Sequence, residues 1–550
     1  MRRRIFGFAA AALLCLGAVE GLAFNRYSGK MAMSGSCQTR HDPTGSTATF
    51  GWFTADFNIN ICGGVASVSP DIITRALQKY AGTFNTNVLY VSPSGVDADA
   101  GPTSTTTILN ATSATVASGT GILVGQAVVC TSRFPVGTTV AAIAGTALTT
   151  SQGAVAAGAS NCTFSNGTQI APLKTLTQAL RSPATQYPGS WASTVHLACG
   201  YYAPGGYRRT DANAGSGVFK LLVGDCPKGA DGAPGAIIGT VGTDISSGWT
   251  LVSAGTYSKV VNAFPERVID SSQFQLDGHY LPYLQYGSLA LLQASGSNVG
   301  WAYDSTIATI YVQQAGAVVT GANLRAIYDG TVTTASPAQN MLIYGASLGI
   351  VNVTLEDTYV APTYDTVARA EVWIKDSTIR YASAQGLLCQ GANCYSQNVT
   401  AYNNKQDNFS LKANGSTVKG LEVNNTSTYS GDPFNYGTSF CGAICNGSSA
   451  DEGDVVRVGG TYKYNEGPNL TDHFNAWNIG PQFGSSIGAT TNGFGYSSQV
   501  AGSLIFCESC KGLGGESATT FNNVAGGTMN LFQPVAPNGT SGVIGTYAPN

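Results

Sequence analysis

A short strand pattern recurs at a nearly fixed step between Asp376 and Asn465. Asp376-Ser-Thr-Ile-Arg-Tyr381, Asn398-Val-Thr-Ala-Tyr-Asn403, Gly420-Leu-Glu-Val-Asn-Asn425 and Gly460-Thr-Tyr-Lys-Tyr-Asn465 follow one another at steps of 22, 22 and 40 residues, the last being a normal step plus 18. A period near 22 with apolar, β-branched and aromatic residues at alternate positions predicts one coil of a β-solenoid per repeat. Coils stack about 4.8 Å apart, so residues at equal offsets form columns. Asn403, Asn425 and Asn465 are read as one such column at a bend, with Tyr381 above them, because Asn tolerates left-handed backbone there.

Composition points the same way. Charged residues are 10% of the 550, against roughly 25% in ordinary globular chains, and 69 residues are glycine. That mixture suits short strands and tight turns better than surface helices. A net charge of −3 gives no electrostatic reason to expect nucleic acid or an anionic membrane as partner.

Arg2-Arg3-Arg4, an apolar run from Ile5 to Val19 and the small-residue site Gly21-Leu-Ala23 predict an export signal over residues 1–23. The run is shorter than the roughly 20 residues a membrane span needs, so no span is expected after cleavage, and the location is secreted, periplasmic or cell-surface. Without Cys15, twelve of the 13 cysteines remain. They fall in sequence as neighbours: Cys37 with Cys62, Cys130 with Cys162, Cys199 with Cys226, Cys389 with Cys394, Cys441 with Cys445, and Cys507 with Cys510. An even count in an exported chain signals disulfides, although spacing does not fix their connectivity. A free buried thiol at Cys389, and zinc at the close pairs, are the competing readings.

Residues 24–86 are expected to form an N-terminal cap. Ser69-Pro70-Asp71 opens a helix whose apolar face is Ile72, Ile73, Ala76, Leu77 and Tyr80, suited to covering the open end of a solenoid. Then come Leu89-Tyr-Val-Ser-Pro-Ser-Gly95, Ala171-Pro-Leu-Lys-Thr-Leu-Thr-Gln-Ala-Leu180 and Thr194-Val-His-Leu-Ala-Cys-Gly-Tyr-Tyr202. In that order they resemble the entry coil of the pectate-lyase-like right-handed parallel β-helix superfamily: strand, Ser-Pro-x-Gly, a Pro-initiated helix ending in Ala-Leu, and a strand leading to Gly-x-Tyr. The resemblance implies an all-β, right-handed parallel β-helix over 87–103 and 168–515. Residues 104–167, with Arg133 as their one charge, read as a small inserted β-module. The Gly-, Asn- and Thr-rich stretch 516–550 reads as a tail or final thin coils.

The column argument extends to chemistry. Aligning Gln385–Gln390, Asp407–Lys412, Glu452–Arg457 and Asp472–Trp477 places Cys389, Leu411, Val456 and Ala476 inward, and Gln390, Lys412, Arg457 and Trp477 outward. Two cations and an indole on one face would suit an acidic polysaccharide, the ring stacking on sugar faces and the cations meeting carboxylates. Asp407, Glu452 and Asp472 stack at the preceding bend, with Asp451, Asp454 and His473 adjacent. Carboxylates one coil apart repel, so one is protonated, or cations compensate them, or Ca²⁺ sits among Asp407, Glu452 and Asp472. A protonated acid beside an ionised one is the hydrolase pairing, and a metal with a Lys or Arg base is the β-elimination pairing of pectate lyases. The loop from about Asp432 to Ser449, with Cys441 and Cys445, would wall such a cleft.

Val372-Trp-Ile-Lys-Asp376 resembles a pectate-lyase strand in which Trp-Ile-Asp-His is usual. Lys375 and Asp376 replace its last pair, so no catalytic role transfers, and the Asn-Thr-Asp, Gly-His-Gly and Arg-Ile-Lys signatures of polygalacturonases are missing. Two functions remain open: a polysaccharide lyase, or next a hydrolase, on an acidic glycan; and a non-catalytic glycan-binding, adhesin, tail-spike-like or structural surface protein. Homo-oligomerisation also stays open, with no heptads to mark it.

Overall fold

The computed structural model describes residues 37–549 except 46–48, 83, 97–102, 109–110, 131–132, 181–192, 203–218, 230–231, 240–242, 254, 262–263, 275–279, 297–298, 314–323, 329–340, 345–346, 357–359, 364–370, 383–384, 413–417, 432–434, 437–444, 452, 485–493, 499–501, 516–518, 524–526, 543 and 548. The expected export signal, Glu452 and Cys441 therefore lie outside the described residues.

Three parallel sheets of twelve, nine and nine strands, here sheets 1, 2 and 3, dominate. The chain visits them in rotation: Glu371–Lys375 in sheet 1, Thr378–Arg380 in sheet 2, Leu387–Gln390 in sheet 3, then Asn393–Gln397 beside Glu371–Lys375 again. Each circuit is a coil. Val372, Ile374, Ile379, Leu387 and Cys389 point into one lumen core shared by all three sheets, as the period-2 alternation of side chains requires.

The corner between sheets 1 and 2 is left-handed in five successive coils, at Asn352, Asp376, Asn398, Asn424 and Gly459, with φ between 50° and 66°. Asn398 Nδ2 donates to Asp376 Oδ1 (2.9 Å) and Asn424 Nδ2 to Asn398 Oδ1 (3.1 Å), spanning 22 and 26 residues. This ladder corrects the expected repeat. Gly420 pairs with Cys394 and Val455 inside sheet 1, so the second step is 26 rather than 22. The expected asparagine column also divides. Asn403 shares the corner between sheets 2 and 3 with Tyr381, Tyr429 and Tyr464, whereas Asn425 sits at the other corner, bonded to Val399 N and Ser396 Oγ.

The N-terminal segment covers a side of the solenoid, not its end. Leu221, Gly349, Trp373, Tyr395, Leu421, Val456, Trp477 and Phe506 form one continuous row on the outer face of sheet 1. Residues 37–84 strap this row. Arg40 makes a bidentate pair with Glu508, Phe50 and Phe53 meet Trp477, Phe57 meets Trp373 and Tyr395, and Tyr80 stacks on Phe219 at 5.0 Å. The helix Ile72–Lys79 begins as expected, with Asp71 accepting from Ile73 N and Thr74 N, and Lys79 and Tyr80 bind Glu371. The lumen end is filled instead by the helix Leu176–Leu180, whose Leu176, Ala179 and Leu180 join Leu89 and Val91 in the core.

Residues 103–165 form a separate six-stranded sheet with its own core. Residues 243–328, expected from sequence as part of the β-helix, form two further sheets centred on Val268, Trp301, Ile310 and Leu324. Their strand Leu284–Tyr286 pairs with Asn435–Tyr436 from the 432–449 loop. Strand pairing of the solenoid continues through Ile544–Thr546.

Five disulfides are described: Cys37–Cys62, Cys130–Cys162, Cys199–Cys226, Cys389–Cys394 and Cys507–Cys510. Cys389 is thus not a free thiol. Cys445 is also disulfide-bonded. These bonds, with no described helix long and apolar enough to cross a membrane, fit an extracellular protein.

Candidate functional site

The register divides the expected outer column between two sheets. Gln390 pairs with Lys412 and Leu411 with Ala450, which pairs with Asp472. The residues following in register are Lys412, Asp451 and His473, so the true column on sheet 3 is Gln390, Lys412, Asp451 and His473. Arg457 and Trp477 belong to sheet 1, and Val456 is no neighbour of Leu411.

Trp477 is 1% exposed under Phe50 and Phe53, so it presents no ring to a sugar. Arg457 and Asp472, both 0% exposed, lie in the lumen rather than on a face. Arg457 Nη1 and Nη2 donate to the two Asp472 oxygens at 2.8 and 2.9 Å, and Ser448 Oγ and Asn478 Oδ1 take further donors. Glu422, which the sequence reading did not single out, is held by Arg457 at 3.4 Å, by Ser448 Oγ and by the Tyr462 hydroxyl. The Tyr496 hydroxyl donates to Asp472. Burial opposes the guanidinium charge, yet Asp472 and Glu422 outweigh it and hold its pKa well above the ordinary value. Burial, then Glu422 and Asp472 respectively, hold the Tyr462 and Tyr496 hydroxyls protonated. Among the described residues the charges of this network are paired with one another inside the solenoid.

Asp454 also leaves the expected group. It lies in sheet 1 beside Lys419, accepts from Asn475 Nδ2 at 2.8 Å, and is raised in pKa chiefly by burial.

What the fold does gather is Lys412, Asp451 and His473. Lys412 Nζ lies 3.4 Å from Asp451 Oδ2, and His473 Nδ1 lies 3.8 Å from Asp451 Oδ1. Ser449 Oγ also donates to Asp451. These three side chains are 36%, 26% and 25% exposed, so the column reaches solvent. His473 Nε2 is buried with no hydrogen-bond partner among the described residues. Asp407 is buried, its Oδ1 accepting from Asn446 N at 2.7 Å and Asn446 Nδ2 at 3.1 Å. Burial pushes its pKa up to about 7; Asp451 adds to the rise, while the Asn446 donors and Lys412 oppose it.

Among the described residues no three His, Cys, Asp or Glu side chains gather to hold a metal. The expected Ca²⁺ group loses Asp472 to Arg457, and Glu452 is not described.

No family model and no curated protein matches the chain. Among solved structures it is similar to the tailspike protein gp49 from Pseudomonas phage LKA1, at 12% identity over 66% of this chain and 77% of that one, with a TM-score of 0.18. A superposition that loose carries no argument, so function rests on the chain's own residues.

Proposed function

We propose that the chain is an exported right-handed parallel β-helix that acts on an acidic polysaccharide, as a lyase, along the outer edge of sheet 3. The observation that supports this is the solvent-reaching Lys412–Asp451–His473 column. β-Elimination next to a uronate carboxylate needs a cation to neutralise that carboxylate and a base to remove the adjacent proton. Lys412 supplies the cation. His473 supplies the base through Nδ1, since its Nε2 is buried, and Asp451, 3.8 Å from Nδ1, stabilises the imidazolium that results. Asp407, protonated up to about pH 7, prevents a second negative charge behind Asp451. The hands of the coils follow from the near-universal right-handedness of parallel crossovers.

The non-catalytic reading draws on a different observation. Asp407, Asp454, Asp472, Arg457 and Trp477 are all buried, so most of the residues suited to carbohydrate chemistry are spent on the fold. A glycan-binding or tail-spike-like surface protein needs no more than the faces that remain.

Incubation with pectate, alginate, hyaluronan and neutral glucans separates these readings. A lyase yields unsaturated-uronate absorbance together with new reducing ends, and a hydrolase only the latter. His473→Ala and Lys412→Gln are each expected to lower product formation by at least about 100-fold, the scale of a lost acid–base group. Absence of product on every polymer rejects catalysis and leaves the binding reading.

A further inference from the structure

A second carbohydrate surface stands on the corner between sheets 2 and 3. There Tyr429 and Tyr464 occupy successive coils and stack, with ring centroids 5.3 Å apart and planes 13° from parallel. Lys463 Nζ lies 5.2 Å from the Tyr464 centroid. Tyr429 is 41% exposed, a large apolar area for the outside of a protein whose other row of rings is roofed by the strap.

Local folding does not require rings there. Tyr429 and Tyr464 have φ of 54° and 59°, left-handed backbone in which a bulky side chain is strained and Asn is comfortable. Asn403 fills the same column one coil earlier at φ 56°, so the corner is built equally well without an aromatic residue. Beside the rings, the outer face of sheet 2 presents partly exposed Thr400, Thr426 and Thr461 in register. The result is a ridge of stacked rings, a cation at its margin and a strip of hydroxyls alongside.

We propose that Tyr429, Tyr464 and Lys463 form a binding subsite for a carboxylated pyranose chain, distinct from the Lys412–Asp451–His473 column. Tyr464 backs one face of the Tyr429 ring, whose other face meets the C–H face of a sugar, and Lys463 meets the carboxylate. The choice of an acidic glycan rests on the proposed function; the existence of the subsite rests on the corner itself.

Calorimetric titration of the whole mature protein tests it, using hexamers of galacturonate, mannuronate and glucuronate–N-acetylglucosamine, with carboxyl-reduced galacturonate as the neutral control. The wild type is expected to bind at least one charged hexamer. Tyr429→Asn and Tyr464→Asn remove a ring while easing the backbone, so each is expected to weaken binding about threefold to tenfold with an undiminished melting temperature. Tyr429→Phe keeps the face and is expected to bind as the wild type does, and Lys463→Gln is expected to lower affinity for the charged hexamer alone. The proposal is overturned by a wild type that binds no member of the panel, or by Asn variants that bind unchanged. Loss of product in His473→Ala with corner binding intact leaves the subsite standing whatever becomes of the catalytic reading. Unchanged binding in the Asn variants of a protein that still cleaves polymer rejects the subsite alone.

Discussion

Asp407 keeps its proton at pH values where an ordinary carboxyl has lost it, because the turn that buries it takes away more hydration than the Asn446 donors return. Its folded pKa of about 7 lies above the ordinary 3.8, so the folded chain binds this proton more tightly than the unfolded one. The associated stability is complete below about pH 4 and is lost as pH rises toward 7, amounting to about 4 kcal/mol at most. Asp407→Asn is therefore expected to flatten the fall in melting temperature between pH 4 and 7. A variant whose profile still parallels the wild type would refute the assignment. Arg457 makes the opposite case, a charge whose worth lies in what its loss strands. Arg457→Ala leaves Glu422 and Asp472 buried without their cation and is expected to cost about 3–5 kcal/mol by denaturant titration. Arg457→Met combined with Glu422→Gln and Asp472→Leu should recover most of that loss. The sequence showed an arginine and an aspartate 15 residues apart, but not that both faced inward across one coil.

At the scale of the element, the strap explains why the indole reading failed. Alternation correctly turned Trp477 away from the lumen, since Ala476 joins the core and Trp477 the outer row. Outward is not exposed, however, when a segment more than 390 residues earlier in sequence lies on top. No local pattern signals such a contact. The slip from Asp451 to Arg457 has a different cause: Ser448–Ala450 is a three-residue strand of small side chains, and the stronger Val455-Val456 pattern a few residues on took its place. Lys412 was placed correctly because Leu387–Gln390 and Phe409–Lys412 are ordinary alternating strands separated by one 22-residue coil. Trp477→Ala would remove the ring that Phe50 and Phe53 both touch. It is expected to cost about 3–5 kcal/mol and to speed proteolysis within residues 37–84 while leaving the solenoid's far-ultraviolet dichroism intact. Equal resistance of the strap in both proteins would show that the row does not hold it.

For the whole molecule, a repeat near 22 residues was enough to give stacked parallel coils, since coil closure leaves few alternatives. Insertions obscured the rest: the sheets built from 243–328 contain Trp301 and Tyr311 in strands that pair locally and share no period with the coils. A solenoid without long-range contacts loses its terminal coils first, because each coil is held only by its neighbours. Here the strap runs against the coil direction, joining Glu508 to Arg40 at one end and Phe219 to Tyr80 at the other. It thus links coils almost 290 residues apart in sequence, from Phe219 to Glu508, and should make them unfold together. Arg40→Ala with Phe53→Ala breaks this link at the solenoid's C-terminal coils without touching a lumen side chain. Native-state hydrogen exchange is expected to show amides of Leu504–Glu508 and Thr528–Phe532 opening at lower free energy than those of Glu371–Lys375 in the variant, and alongside them in the wild type. If the terminal strands already exchange early in the wild type, the strap only covers the apolar row, and the coils are held by their neighbours alone.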